Sequence, residues 1–292
     1  NREFENRLFS SYELIGNSKN ILNIKEQIEK ISVSESRIFI NGPSGSGKEL
    51  VARKIHKNST RFKEPFVIIN AALLKEKTYE KELFGEEFDD GNISFGALER
   101  ANKGTLLIDE VSEIPYETQA NVLRVLIDQK FKRLNGSKDI YVNIRLISST
   151  SKNLDKLVKE NKFREDLYHR LNVFNIKIEP LNKRIEDIPL LTNYFIQNIC
   201  ETNNYKPFSI EDNNYLLNYD WPGNVRELRN LIERIAILQP DTRDKISNIV
   251  KESLKNDTFD EKIKENSLSV PLKEAREKFE KEYLTIQLKK FN

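Results

Sequence analysis

The sequence has no methionine, a single cysteine (Cys200) and only two histidines, His56 and His169. One cysteine excludes an internal disulfide framework, and a cytoplasmic setting is the corresponding expectation. Neither histidine has cysteine or carboxylate neighbours at metal-site spacing, so both are expected at the surface. No apolar run approaches the roughly 18 residues that a membrane helix needs, and no signal peptide is visible, so no membrane partner is expected. Charge is also nearly balanced: 48 Lys and Arg against 46 Asp and Glu leave a net charge of +2. A global basic bias toward nucleic acid is therefore missing. Methionine is absent even at position 1, and the chain opens in polar Asn1-Arg2-Glu3. The expectation is a fragment excised from a longer protein.

What is present is globular. Hydrophobic residues are 38% and charged residues 32% of 292 positions, which suits a packed core beneath a heavily charged surface. The length carries a soft expectation of about two domains. The most informative stretch is Gly42-Pro43-Ser44-Gly45-Ser46-Gly47-Lys48, followed by Glu49. It has the form G-x-x-x-x-G-K, with the apolar run Arg37–Asn41 before it and a helix-like segment, Glu49 to His56, after it. In that strand–loop–helix setting the glycines let backbone N–H groups turn toward phosphates. Lys48 adds a point charge, and the helix N-terminus adds its dipole. The bland alternative is a Gly/Ser-rich turn.

Apolar runs also predict strands over Pro65–Ile69, ending at Asn70, and over Thr105–Ile108, ending in Asp109-Glu110. Further runs predict Ile144–Ile147, ending in Ser148-Ser149-Thr150, and Val173–Ile178. Continuous apolar runs suit strands covered on both faces. Helical patterns fall at Ile21–Ile31, Glu117–Gln129 and Lys152–Lys159. The predicted class is α/β with a largely parallel sheet flanked by helices. Ligands of such sheets lie beyond the carboxyl ends of the strands, where Asn70, Asp109 and Thr150 fall. Asp109 at that place can hold Mg²⁺, and Glu110 can orient and activate an attacking water. After Pro180-Leu181 the pattern becomes helical, with helices predicted over Ile188–Ile199, Ile210–Leu217 and Val225–Leu238. Trp221-Pro222-Gly223-Asn224 reads as a turn with Asn224 as helix cap. The expected organisation is a linker over 1–12, an α/β unit over 13–179 and a small helical lid over 180–240. Polar linker is expected over 241–268 and an apolar-striped helix over 271–288.

The stretches G-P-S-G-S-G-K-E, E-L-F-G (82–85), G-T-L-L-I-D-E (104–110) and F-R-E-D-L-Y-H-R-L-N-V (163–173) stand in that order. P-L-N-K-R-I-E-D-I-P-L-L (180–191) and W-P-G-N-V-R-E-L-R-N (221–230) follow them. Together they resemble the central ATPase domain of bacterial enhancer-binding transcription activators, members of the AAA+ P-loop ATPases. The resemblance covers about residues 13–240. Glu49, where most phosphate loops carry Ser or Thr, is typical of that family. The ending P-L-K-E-A-R-E-K-F-E-K-E-Y-L (271–284) further resembles the NtrX type of two-component response regulator.

The resemblance implies ATP and Mg²⁺ as cofactors. Lys48 would contact the β- and γ-phosphates, Asp109 would hold Mg²⁺ and Glu110 would position the water. Asn70 matches a residue that can hold the catalytic Glu away from water; its alternative role is strand-end capping. Thr150 corresponds to a γ-phosphate sensor, with Ser151 in place of the family's usual Asn. Arg164 and Arg170 match the pair that supplies an arginine finger to a neighbouring subunit, with surface pairing to Glu165 or Asp166 as the alternative. Read as one helix, their six-residue separation points them in different directions. Arg226 matches the second sensor, and Ile15 and Gly16 match the adenine-side wall.

One stretch departs from the pattern. Family members that remodel the sigma-54 polymerase carry G-A-F-T-G-A shortly after E-L-F-G. Here Glu86-Glu87-Phe88-Asp89-Asp90-Gly91-Asn92-Ile93-Ser94-Phe95 follows instead. The resemblance thus carries over the ATPase fold and site readily, and contact with sigma-54 and RNA polymerase only weakly. NtrX-type proteins are similar in lacking the motif. Further implied partners are a second copy of the chain, from dimer to hexameric or heptameric ring, and a sensor histidine kinase acting through a preceding receiver. DNA is implied through a following helix-turn-helix domain. Two outputs stay open: an ATP-driven remodeller of a transcription partner, or a DNA-binding regulator whose core is a nucleotide-responsive oligomerisation module. A third is a remodelling ATPase unrelated to transcription.

Overall fold

A computed structural model describes residues 13–74, 76–210, 214–240 and 242–255. The linker expected over 1–12 and the striped helix expected over 271–288 lie outside the described residues. The main sheet contains β1 (Ile38–Asn41), β2 (Phe66–Asn70), β5 (Thr105–Asp109), β8 (Arg145–Thr150) and β9 (Phe174–Lys177). Its order is β2-β5-β8-β1-β9, and every pairing is parallel. Two short antiparallel ribbons lie apart from it: β3 (Gly85–Glu87) with β4 (Ile93–Phe95), and β6 (Lys130–Phe131) with β7 (Ile140–Tyr141).

The strands are apolar throughout because alternate residues enter two different cores. Phe39, Leu106, Ile108 and Leu146 pack with Val122, Val125, Leu167 and Leu171. Their neighbours Ile38, Ile40, Leu107 and Ile147 pack on the other side with Ile21, Ile24, Ile28, Val51 and Ile55. Helices α1 (Lys19–Ser32) and α2 (Lys48–Lys57) cover this second face. Each fully buried Ile or Leu side chain contributes on the order of 1.5–3 kcal/mol, so burial on both faces fixes the sheet. Ser18 caps α1 by accepting from Ile21 N–H. The far end of α1 is closed by Arg145 of β8, whose guanidinium donates to the carbonyls of Ile31 (2.7 Å) and Ser32 (2.8 Å). Those carbonyls have no partner within the helix.

On the first face lie α3 (Glu76–Phe84), α4 (Ala97–Arg100), α5 (Tyr116–Asp128), α6 (Leu154–Lys159) and α7 (Glu165–Leu171). The chain then enters a helical unit with its own core, in which Leu181, Ile188, Leu216, Trp221, Leu228 and Ile232 are buried. Its helices are α8 (Asp187–Asn203), α9 (Asn214–Asn218), α10 (Asn224–Leu238) and α11 (Arg243–Lys255). Helix α11 corrects the expectation of linker from 241. Ile246, Val250 and Leu254 recur every fourth residue and are buried in the lid core. Charged residues between them masked the stripe. The lid therefore extends beyond 240.

The histidine expectation also needs correction. His169 is exposed, but His56 is only 5% exposed on the inner face of α2. Its Nδ1 is 2.9 Å from Thr105 Oγ1, and its ring lies 5.0 Å from that of Phe66.

Candidate active site

The sheet brings the ends of β1, β5 and β8 side by side, and the candidate site is built on those ends. The loop Gly42–Gly47 leaves β1, and its first amide donates to Thr150 O of β8 (3.2 Å). Gly45 and Gly47 have φ of 74° and 107°, in the region that glycine enters without a Cβ clash. Lys48 is 6% exposed. Its Nζ donates to Gly42 O (3.0 Å) and Pro43 O (3.4 Å) and lies 3.0 Å from Glu110 Oε1. Ser46 Oγ is buried without a hydrogen-bond partner. A buried hydroxyl in that state carries a desolvation cost that a bound acceptor would relieve.

Asp109 ends β5 directly opposite Asn70 at the end of β2. Asn70 Nδ2 donates to Asp109 Oδ2 (3.2 Å), and Ser149 Oγ donates to Asp109 Oδ1. Asn70 Oδ1 also accepts from Ala72 N–H (3.0 Å), capping the turn that follows β2. The structure thus pairs Asn70 with Asp109 rather than with Glu110.

Glu110 has a left-handed backbone, φ 54° and ψ 51°, unusual for a residue with a side chain. Such a conformation persists where surrounding contacts determine it. Here Ser151 supplies two of them: its N–H and its hydroxyl both donate to Glu110 Oε2 at 2.8 Å. Burial, the largest single influence on the carboxyl, pushes its pKa up. The Ser151 N–H, Lys48 and the Ser151 hydroxyl together outweigh burial and hold it below the usual value. Glu110 is therefore an anion clamped at both oxygens. Thr150, fully buried, donates to Ser112 Oγ (2.9 Å) and accepts from Lys152 N–H (3.1 Å).

The lid closes over the loop. Arg226 Nη1 donates to Ser44 Oγ (3.3 Å), and Arg226 N–H donates to Gly45 O (3.3 Å). Asn224 was expected to cap α10, but Gly223 occupies the cap position. Asn224 instead donates to Ser44 O (3.0 Å) and accepts from Leu181 N–H (2.8 Å). Arg184, 2% exposed, donates to Ser46 O (2.9 Å). Asp187, 4.0 Å from Arg184, accepts from the N–H groups of Asn17 (2.7 Å) and Ser18 (2.8 Å) and from the Ser18 hydroxyl (2.6 Å). This fixes the turn at Ile15 and Gly16. Gly16 has φ 141°, and a Cβ there would meet Asp187 Oδ1 at 2.7 Å. Ile15 packs against the lid core.

Several expected residues lie elsewhere. Glu49 turns outward, 49% exposed, and pairs with Arg53 at 2.7 Å. Arg164 stands outside α7, at its N-cap in extended conformation, so rotation along one helix does not relate it to Arg170. Its guanidinium pairs with Asp166 at 2.8 Å. Arg170 is exposed and, among the described residues, has no ion pair; its charge acts on Arg37. Neither arginine contacts the loop of its own chain among the described residues. The sequence reading gave no role to Ser151 as a clamp or to Arg184 and Asp187, and it gave Asn224 a capping role rather than its contact with the loop. The signal for the last three was their place inside P-L-N-K-R-I-E-D-I-P and W-P-G-N-V-R-E-L.

Among the described residues no group of three or more His, Cys, Asp or Glu side chains comes together as a cation cage. The donor set fits Mg²⁺ nevertheless, because that ion is commonly bound through one carboxylate plus phosphates and water. Asp109, its oxygens held by neutral donors, is the carboxylate in place.

Residues 14–177 match the Sigma-54 interaction domain family, and residues 182–267 match the AAA+ ATPase lid domain. The chain belongs to the sigma-54 interaction domain family. Within it the chain is similar to NtrX-type regulators. It is 42% identical to the nitrogen assimilation regulatory protein NtrX of Azorhizobium caulinodans, over 98% of this chain and 64% of that protein. Crystal structures of NtrX from Brucella abortus with ADP and with ATP are each 43% identical, with TM-scores of 0.78 and 0.76. Each alignment covers 96% of this chain and 63% of the Brucella chain. The chain thus spans under two thirds of the length of these relatives.

The loop after E-L-F-G departs from the activators' G-A-F-T-G-A pattern. Here it is the β3–β4 hairpin, closed by the hydrogen bond from Phe88 N–H to Asn92 O (3.0 Å) and turned at Gly91, φ 83°. Arg133 holds it down, pairing with Glu87 (2.8 Å) and Glu99 (2.6 Å). Phe88 is exposed, with Lys81 Nζ 5.0 Å from its ring.

Proposed function

We propose that this chain is the ATP-binding and ATP-hydrolysing central domain of a two-component transcriptional regulator, working as a homo-oligomer with subunit-shared sites. One observation carries the reading. Lys48, Asp109, Glu110 and Thr150 converge on one end of the sheet beneath Arg226, while Arg164 pairs with Asp166 and exposed Arg170 makes no ion pair among the described residues. The nucleotide complexes of the Brucella relative support the choice of ligand.

In this reading Lys48 leaves Glu110 for the β- and γ-phosphates when ATP enters. Glu110, freed, accepts a hydrogen bond from water and draws off its proton. The water oxygen bonds to the γ-phosphorus as the bond to the β–γ bridging oxygen breaks. Mg²⁺ at Asp109 would supply neutralisation of phosphate charge. An arginine from the adjoining subunit, Arg164 or Arg170, stabilises the transition-state charge, which makes turnover depend on assembly. A ring of six or seven subunits, a cytoplasmic setting, a sensor histidine kinase and target DNA belong to the same reading. The test is ATP turnover against protein concentration. Specific activity should rise with concentration; a flat, non-zero profile refutes the shared site, and zero activity at every concentration refutes hydrolysis.

The short hairpin at 85–95 favours a second reading of the output. Its tip carries Phe88 between acids and lacks the Phe-Thr of G-A-F-T-G-A. On this reading the full-length protein regulates by binding DNA without sigma-54, and the ATPase core controls oligomerisation. It predicts a promoter footprint and no sigma-54-dependent open complex. An open complex formed with sigma-54 polymerase overturns it.

A further inference from the structure

We infer that Asn224 and Arg184 are positioning residues that set the conformation of the phosphate loop from the lid side. The inference rests on the nucleotide-site reading above and assigns two further residues to it. Three consecutive loop carbonyls are held from that side. Ser44 O accepts from Asn224 Nδ2 (3.0 Å), Gly45 O from Arg226 N–H (3.3 Å) and Ser46 O from Arg184 Nη2 (2.9 Å). A trans peptide points its C=O and the following N–H in opposite directions. Gripping Ser44 O therefore turns Gly45 N–H away from the lid, and gripping Ser46 O does the same for Gly47 N–H. Neither N–H donates to another backbone group among the described residues. The middle amide, Ser46 N–H, closes the loop's own turn onto Pro43 O (3.2 Å).

The contact is too close for chance packing. A Cβ on Gly45 would lie 2.3 Å from Gly223 O, so loop and lid backbones touch there only because position 45 is glycine. Both gripping side chains are themselves fixed. Asn224 is 2% exposed and anchored by Leu181 N–H, and Arg184 is 2% exposed beside the buried Asp187. Asp187 in turn holds the turn at Asn17 and Ser18. Loop, lid and adenine-side wall are thus one hydrogen-bonded unit. Lid displacement releases the carbonyls and lets the Gly45 and Gly47 amides rotate, so phosphate affinity depends on lid position.

Asn224→Ala removes the grip on Ser44 O, and Arg184→Lys keeps the positive charge beside Asp187 but shortens the reach to Ser46 O. Calorimetry with the whole chain should compare ADP with adenosine, alongside melting without nucleotide. Each variant should bind ADP about tenfold more weakly, the scale set by losing one hydrogen bond at a phosphate site, with adenosine affinity unchanged. The melting temperature without nucleotide should stay within about 2 °C of the parent. ADP affinity within twofold of the parent in a variant that melts like the parent overturns the inference. So does equal weakening of ADP and adenosine, which is the signature of a merely structural role. If Asn224→Ala melts early, Arg184→Lys decides by the same criteria. If the parent chain itself does not bind ADP, the nucleotide-site reading falls and this inference with it; parent binding with unaffected variants sinks the inference alone.

Discussion

Lys48 Nζ lies 3.0 Å from Glu110 Oε1, so the phosphate-binding cation and the proposed water-activating anion neutralise each other across the site. The pair is largely buried, at 6% and 15% side-chain exposure. Removing either partner leaves an uncompensated charge, which is costly in a low-dielectric setting. ATP brings its own negative charge to Lys48 and so competes for it. Glu110→Gln should therefore retain ATP binding, and tighten it if anything, while turnover falls by roughly 10²–10⁴-fold, the range for a lost general base. A Gln variant with near-parental turnover would remove Glu110 from the chemistry.

The other oxygen of Glu110 belongs to Ser151. Burial acts to raise the Glu110 pKa, and the Ser151 N–H, Lys48 and the Ser151 hydroxyl together lower it further than burial raises it. A lowered carboxyl pKa keeps the base ionised to lower pH. Ser151→Ala deletes the hydroxyl donor and leaves the N–H donor. The acid limb of the turnover–pH profile should move to higher pH, with the plateau above it changed by less than about tenfold. An unmoved acid limb would show that Ser151 does not tune the base. Ser151, where the resembled family usually has Asn, would then be a residue that tunes the glutamate.

Arg164 and Arg170 differ in what holds them. Arg164 spends its guanidinium on Asp166 at 2.8 Å, and the pair is exposed enough that solvent screens it heavily. Arg170 has no such partner among the described residues. Either can reorient toward a neighbour at little cost. Loss of the true finger should lower turnover by about 10³-fold or more with ATP affinity nearly unchanged. Mixing that variant with Glu110→Gln should restore activity above either alone, because mixed neighbours rebuild some complete sites. Arg164→Ala and Arg170→Ala that both turn over like the parent would end the trans-arginine proposal.

The strands of the main sheet were legible because residues buried on both faces leave continuous apolar runs, and the polar residue ending each run marks the ligand side. β8 ran furthest past its apolar stretch, since Ser148, Ser149 and Thr150 are buried as well. The two ribbons were not legible. Gly85-Glu86-Glu87 has no apolar alternation, and its strand is held by Arg133 and by main-chain pairing to Leu134, both distant in sequence. His56 is a different case, because the signal was there. It is spaced four residues from buried Ala52 and eight from buried Lys48 on α2. Arg184 and Asp187 show the limit most plainly. Their partners Ser46 and Ser18 lie 138 and 169 residues away, and no local pattern encodes that meeting.

The hairpin at 85–95 is fixed to the body by Arg133, whose contacts with Glu99 and Glu87 raise its pKa against the effect of burial. A loop anchored this way is poorly suited to extend toward a partner. Replacing residues 86–95 with a G-A-F-T-G-A-bearing loop in the full-length protein should create sigma-54-dependent open-complex formation, provided that the motor beneath is intact. ATP turnover by the graft without any open complex would locate the lost output outside this hairpin as well.

Stability should depend on His56 in mildly acidic solution. Burial chiefly, with the nearby charge of Arg145 adding to it, depresses the His56 pKa from 6.5 to about 4. In the unfolded chain His56 takes up a proton as pH falls through about 6.5, whereas in the folded chain it stays neutral until about 4. The unfolded state thus binds more protons across this window. Stability is greatest above the unfolded pKa, falls as pH drops from about 6.5 to about 4, and levels off below. The neutral ring is anchored to Thr105 Oγ1 at 2.9 Å, so a substitute needs similar shape and one polar atom. His56→Gln should be less stable than the parent at pH 7.5 by about 1–2 kcal/mol from lost packing. Its stability should also fall less between pH 6.5 and pH 4. Denaturant unfolding at a series of pH values checks this, and parallel curves for parent and variant would show that His56 contributes nothing to the acid sensitivity.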